Sequence, residues 1–214
     1  MLRRLSRIPL LLFFAAASSA EPITPGKYVF EHIHFKRIKP NIVSFDDDAI
    51  RFNVNKSASF LLLAFDDIKT VRRVSFAWQA SGVLNKNSIE QEQTRKGDDA
   101  WIRVGLIISG EPEWVPDALL PRWSRQVKKT LRHPSDRMLY LIPGAMHTPG
   151  ASWKSPYSNH IDMVSVASSR MDGNWQRVDH EFSEPQRAVG LWIMADGDDT
   201  GSIFSSQLRN LVID

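Results

Sequence analysis

From Tyr28 to the C-terminus the chain is cut into short runs, apolar on alternate residues or apolar throughout, and Gly, Pro, Asn or Asp closes each run. This punctuation constrains the fold more than any other feature. A two-residue period puts one set of side chains on one face of a strand and cannot build the apolar stripe of a helix. Runs of this kind lie at 28–36, 42–45, 49–54, 59–65, 73–80, 101–109, 137–142, 162–167, 176–182, 188–195 and 207–213, which predicts eleven short strands. Ile50, Phe52 and Val54 alternate with Arg51, Asn53 and Asn55, and Val74, Phe76 and Trp78 repeat the pattern, so both apolar sets are assigned to a core. Phe60-Leu61-Leu62-Leu63 is apolar throughout, which predicts a central strand covered on both faces. The expected fold is all-β, an antiparallel β-sandwich with a jelly-roll-like, galactose-binding-like arrangement. One amphipathic helix interrupts it near 121–132, where Leu120, Trp123, Val127 and Leu131 recur at helical spacing and Pro121 suits the first turn. Arg122, Arg125, Lys128, Lys129 and Arg132 populate its outer side, either as a solvated face or as a recognition surface for an acidic polymer.

The N-terminus obeys different rules. Arg3, Arg4 and Arg7 precede the apolar run 8–17, and Ser18-Ser19-Ala20 offers small residues before Glu21. This is the pattern of a secretory signal peptide. The run is about half the roughly 20 apolar residues that span a bilayer, and Leu10 to Phe14 favour the general secretory route over twin-arginine export. The expected organisation is a signal peptide at 1–20 and one domain at 21–214, periplasmic or secreted, with no membrane span after cleavage. The leader carries three arginines and no acid, so 24 of the 27 basic residues remain against 24 acidic ones. Net charge then gives no case for nucleic acid as a partner. The absence of cysteine excludes disulfides, thiolate metal sites and thiol nucleophiles.

Chemistry concentrates in loops. Residues 195–202 read Ala-Asp-Gly-Asp-Asp-Thr-Gly-Ser, with Asp196, Asp198 and Thr200 at alternate positions and Gln207 where a calcium loop would carry a bidentate Glu. The loop is either a Ca²⁺ site or an Asp/Gly turn bonded to its own backbone. Asp98 and Asp99 precede Trp101 and Arg103, and one acid is expected to pair with Arg103 while the other accepts bonds from a polar ligand. Adjacent strand residues face opposite ways, so a catalytic carboxylate pair would combine Asp98 or Asp99 with Asp196 or its neighbours. The polar segment 81–97 is expected to be a loop beside the site. The segment 143–160 is a second loop, where Trp153 and Tyr157 could stack on a sugar ring and Asn159 or His160 could bond its hydroxyls. Trp78, Trp101 and Trp192 sit in strand patterns and are assigned to the core. No G-x-S-x-G, H-E-x-x-H, P-loop or dinucleotide fingerprint is present.

Val74 to Trp78, Lys96-Gly97-Asp98-Asp99-Ala100-Trp101-Ile102-Arg103-Val104, Leu139-Tyr140-Leu141, Ser155-Pro156-Tyr157 and Asp196-Gly197-Asp198-Asp199-Thr200-Gly201 follow one another in an order that resembles the uncharacterised secreted bacterial family called domain of unknown function 3047. The resemblance covers roughly 73–213. It departs from the pattern at Tyr140-Leu141-Ile142, where a tryptophan is usual, and at Asp198-Asp199-Thr200, which replaces Asp-Asn-Thr. The resemblance implies export and a β-rich fold, and it supplies no activity.

Three functions fit these readings. The leading one is a non-catalytic module for a glycan or another polar ligand, resting on the loop aromatics and acids. A carbohydrate-active hydrolase or lyase would use Asp98 or Asp99 with Asp196. A structural envelope protein would engage a partner through the basic helix. The export reading predicts that the mature protein begins at Glu21; N-terminal sequencing of the exported chain checks this, and a sequence starting at Met1 contradicts it.

Overall fold

The structure, a computed structural model, describes residues 22–46, 48–113, 115–168 and 173–214. The expected signal peptide at 1–20 lies outside the described residues. The strands are β1 (Glu31–His34), β2 (Ile42–Phe45), β3 (Ala49–Asn55), β4 (Ala58–Val83), β5 (Ala100–Ser109), β6 (Ser135–Ala145), β7 (Ser152–Ser155), β8 (Ser158–Ser168), β9 (Gln176–Asp196) and β10 (Ile203–Ile213). Among the described residues two helices accompany them, α1 (Ile89–Glu92) and α2 (Arg122–Thr130), with a 3₁₀ turn at Asp117–Leu119. The fold is all-β. Its ladder runs β2-β3-β10-β4-β9-β5-β6-β8-β7, with β1 also paired to β4.

Two long strands explain how one ladder makes two layers. The first part of β4 pairs with β1 and with the C-terminal part of β9, as in Leu62↔Glu31 and Leu62↔Trp192. Its last part pairs with β10 and with the N-terminal part of β9, as in Trp78↔Leu208 and Trp78↔Gln176. Between these parts the register shifts twice, and Lys69↔Ala188 and Val71↔Gln186 carry the paired strands from one layer to the other. The inner faces then meet: Leu61, Leu63, Val104, Leu106, Leu191 and Ile193 from one layer share a core with Phe52, Val74, Phe76, Trp78 and Phe204 from the other.

The expected strands 59–65 and 73–80 are therefore one strand, as are 176–182 and 188–195. Asp66-Asp67 and Glu184-Pro185 look like turn residues in the sequence. In the fold they lie where the paired strands bend and bulge, a place that tolerates proline and solvated charge. The expected strand at 28–36 shortens to Glu31–His34, and the expected loop at 143–160 contains β7. One pairing departs from the antiparallel expectation. β7 lies outside β8 at the sheet edge, so β8 returns parallel to β6.

The outer face of the β4-β9-β5-β6-β8 layer is also apolar. Phe60, Leu62, Ile107, Tyr140, Met163, Trp192 and Met194 lie there, and Trp123, Val127 and Leu131 of the α2 segment pack against them. Both faces of this layer are covered, as the continuous run at 60–63 predicts. The inter-layer core is the main source of stability. Phe76→Ala, at a residue 1% exposed, is expected to cost about 3–5 kcal/mol, read as a lower urea midpoint with an unchanged m-value.

Candidate ligand-binding cavity

Alternation along four strands builds a site on that outer face. Trp192, Met194 and Asp196 project from β9, and Arg103 and Gly105 face outward from β5. Tyr140 and Met163 continue the rows across β6 and β8: Trp192 pairs with Gly105, Gly105 with Tyr140, and Tyr140 with Met163. A Cβ at Gly105 would stand 2.9 Å from the Tyr140 ring. Glycine here leaves room for that ring beside Trp192. Phe60 stacks on Trp192 with ring centroids 3.3 Å apart, and Trp123 meets Trp192 edge-on at 5.8 Å.

A cavity of about 300 Å³ opens over these rings. Its floor is Trp192, Tyr140, Met138, Met163, Met194 and Ile161, with Trp123, Phe35 and Ile38 on one flank. Its polar end is Asp98, Arg103, Asp196, Asp198, Asp199, Ser155 and Tyr157. The two acidic segments separated by about a hundred positions in the chain thus line one cavity, because Ala100 of β5 pairs with Asp196 at the end of β9.

Arg103 is the hub of the polar end. It is 3% exposed, and its Nη1 donates to Asp196 Oδ2 at 2.7 Å. Its Nη2 lies 3.1 Å from Asp98 Oδ1 and also donates to the Asp98 carbonyl. Burial alone would lower the Arg103 pKa, and Asp98 and Asp196 reverse that and raise it. Burial pushes the Asp98 carboxyl up to about 6, against the pull of Arg103 and Lys86, with Asp199 and Asp99 adding repulsion. Burial also raises the Asp196 carboxyl well above its ordinary value, with Asp99 and Asp198 adding to the rise and Arg103 opposing it. Asp99 faces away from Asp98, and its carboxylate accepts the amides of Asp199 at 3.3 Å and Thr200 at 2.8 Å. Tyr157 closes the rim: its hydroxyl donates to Asp199 Oδ2 at 2.7 Å, and Arg95 lies 5.3 Å over its ring.

Other expected site residues fall elsewhere. Trp153 pairs with Met163 one strand beyond the cavity floor, and its ring stacks on His147 at 4.0 Å, so it does not line the cavity. Asn159 and His160 are exposed at the start of β8, outside the lining. Thr200 engages Asp99 and Ser202 through its hydroxyl, and Gln207 accepts from Arg51 at 3.3 Å within β10. Strand pairing sets Gln207, at the position where a calcium loop would carry its bidentate Glu, opposite Arg51 and Gln79. On the helix, Lys128 pairs with Asp117 and Arg132 with Asp66.

Sequence reasoning missed two groups. Tyr140, Met138, Met163 and Ile161 gave no polar signal, although their alternation in neighbouring strands placed them on one face. Lys86, Glu92 and His147 form a buried network: Lys86 closes on Glu92, whose Oε2 lies 2.6 Å from His147 Nδ1. Glu92 also accepts the Met146 amide at 3.1 Å. This network ties the 84–97 segment, which the sequence presents as a polar loop, to the end of β6.

The family described as "Protein of unknown function (DUF3047)" matches residues 30–212. The chain belongs to this family. Comparison with curated proteins found no match. Among solved structures the chain is similar to two mutants of CBM29-2, a family 29 carbohydrate-binding module. One is 11% identical with a TM-score of 0.36, covering 91% of this chain and 86% of that one. The other, complexed with mannohexaose, is 10% identical with a TM-score of 0.33, covering 87% and 91%.

Removing the shared guanidinium would leave two carboxylates buried without a cation. Arg103→Met is expected to destabilise the fold by about 3–5 kcal/mol, and adding Asp196→Asn should recover part of the loss; denaturant titration of the single and double variants checks both signs.

Proposed function

We propose that this protein is a carbohydrate-binding module acting outside the cytoplasm, and that the cavity beside Arg103 holds part of a glycan. The observation that carries the reading is the pairing of an aromatic floor with unspent polar atoms. Trp192 Nε1 and Arg103 Nε are buried and have no hydrogen-bond partner among the described residues, and both residues line the cavity. Buried donors without acceptors are uncommon in folded proteins and call for a partner. A purely apolar ligand would leave them unpaired. A sugar meets both demands, because its ring carbons pack on aromatic faces while its hydroxyls accept and donate.

The hydrolase alternative needs two carboxyls free to flank a scissile bond. Asp98 and Asp196 instead share one guanidinium, which favours binding over turnover. A structural partner on α2 would compete with Asp117 and Asp66 for Lys128 and Arg132.

A glycan array probed with the folded chain tests the proposal. At least one glycan class should bind, and titration calorimetry with that glycan should show Tyr157→Ala and Trp123→Ala each weakening affinity about tenfold, which corresponds to about 1.4 kcal/mol. An array without signal, or variants that bind as tightly as the parent, would overturn it.

A further inference from the structure

The polar end of the cavity holds more negative charge than its neighbours neutralise. Asp99, Asp198 and Asp199 each offer one carboxylate oxygen, and the three oxygens lie within 4.8 Å of one another. Asp196 brings a fourth carboxylate within hydrogen-bonding reach of Asp198. The nearby cations are already engaged, Arg103 with Asp98 and Asp196, and Lys86 with Glu92. Acids gather on many surfaces without an ion, so crowding by itself carries nothing.

The second observation is one oxygen. Asp196 is 5% exposed, its Oδ2 accepts from Arg103, and its Oδ1 is buried with no hydrogen-bond partner among the described residues. A buried carboxyl oxygen with no partner carries a desolvation cost that folding does not return. The neighbouring side chain is another carboxyl, Asp198, and two carboxyls can share one proton between them, without which both face each other as acceptors. A cation is the partner that satisfies both oxygens together.

We propose that a divalent cation binds among Asp99, Asp198 and Asp199, with Asp196 Oδ1 as a further oxygen ligand. The donor set is all oxygen and mostly carboxylate, which selects a hard ion, and calcium accepts such irregular sets of six to eight oxygens more readily than magnesium does. This site differs from the alternate-position loop of the sequence reading. Asp99 reaches it from the segment before β5, so the ion joins two distant stretches of chain. Asp198 and Asp199 also line the cavity, so the open coordination positions face the ligand space and would take sugar hydroxyls. That last consequence rests on the glycan reading, whereas the ion site does not.

The test uses the whole folded chain, stripped with EDTA and dialysed. Calcium chloride at about 5 mM, several times the roughly millimolar Kd of weak extracellular sites, should raise Tm by about 2–4 °C. Magnesium chloride should raise it less. Terbium should luminesce on excitation of the protein's aromatic rings. Asp198→Asn and, separately, Asp199→Asn should abolish both responses, and neither should lower the Tm of the stripped protein, because each removes repulsion. No calcium shift together with no terbium signal in the parent would overturn the site, as would a shift that survives both substitutions. Repeating the glycan array with EDTA and with calcium separates the two proposals. Metal binding with a blank array overturns the glycan reading alone, and glycan binding without any metal response overturns the ion alone.

Discussion

One buried guanidinium holds the candidate site together. Arg103 stands on an apolar sheet face, 5.7 Å over the Tyr140 ring, and is bonded to Asp98 on one side and Asp196 on the other. Such a group is an expensive thing to bury, and replacing a buried ion cluster with apolar residues is often neutral or stabilising. Its value lies in placement. The chain that enters β5 and the chain that leaves β9 both end their apolar runs with an acid, and a shared cation draws the two acids to the same end of the cavity. The bulge between Ala100↔Asp196 and Arg103↔Met194 adds a residue to β5 at this point, which aims Arg103 outward beside Met194.

A second buried ion cluster does similar work at a distance. Lys86, Glu92 and His147 are all nearly sealed from solvent, and burial lowers the Lys86 pKa despite the opposing carboxylate. Ser88 caps α1 by accepting the Gln91 amide, and α1 presents Glu92 to the two consecutive amides of Met146 and His147. The 84–97 segment is thereby fixed against the end of β6. Arg95, from the same segment, in turn covers Tyr157 at the rim. The rim is thus positioned by charge clusters, whereas the floor is positioned by strand register.

That division decides what could be read from the chain before its fold. Two-residue alternation identified the β class, and the sets at 50–54 and 74–78 do face the core, because such a pattern depends only on local geometry. The α2 stripe of Trp123, Val127 and Leu131 was legible for the same reason. The joining of 59–65 to 73–80 was hidden, since Asp66-Asp67 has the composition of a turn and only pairing with β9 keeps it extended. Asp98, Arg103, Asp196, Asp198, Asp199 and Tyr157 stood out as clustered or loop-borne polar residues, and the structure brings them to one cavity. Trp153 stood out by the same criteria and sits outside it, because loop composition cannot say which way a ring faces once the loop contains an edge strand. Lys86, Glu92 and His147 left no recognisable pattern, since His147 meets Glu92 across 55 positions of the chain.

The two faces of the inner layer explain how the fold can tolerate such a site. Stability resides in the inter-layer core, where Leu61, Val104, Leu106, Leu191 and Ile193 are nearly inaccessible and belong to one apolar cluster. The opposite face of the same strands therefore has freedom to carry costs. It holds crowded carboxylates, an unpaired indole N–H and a glycine in mid-strand at Gly105, each of which weakens a sheet. Trp192 Nε1, Arg103 Nε and Asp196 Oδ1 belong to residues that line one cavity, whereas Trp78 Nε1 and Ser206 Oγ lie unpaired elsewhere. Departures of this kind concentrate at functional sites, and here they define a surface that lacks apolar completion on one side and neutralising charge on the other. A ligand or ion that supplies either would be held by the same groups that burden the fold.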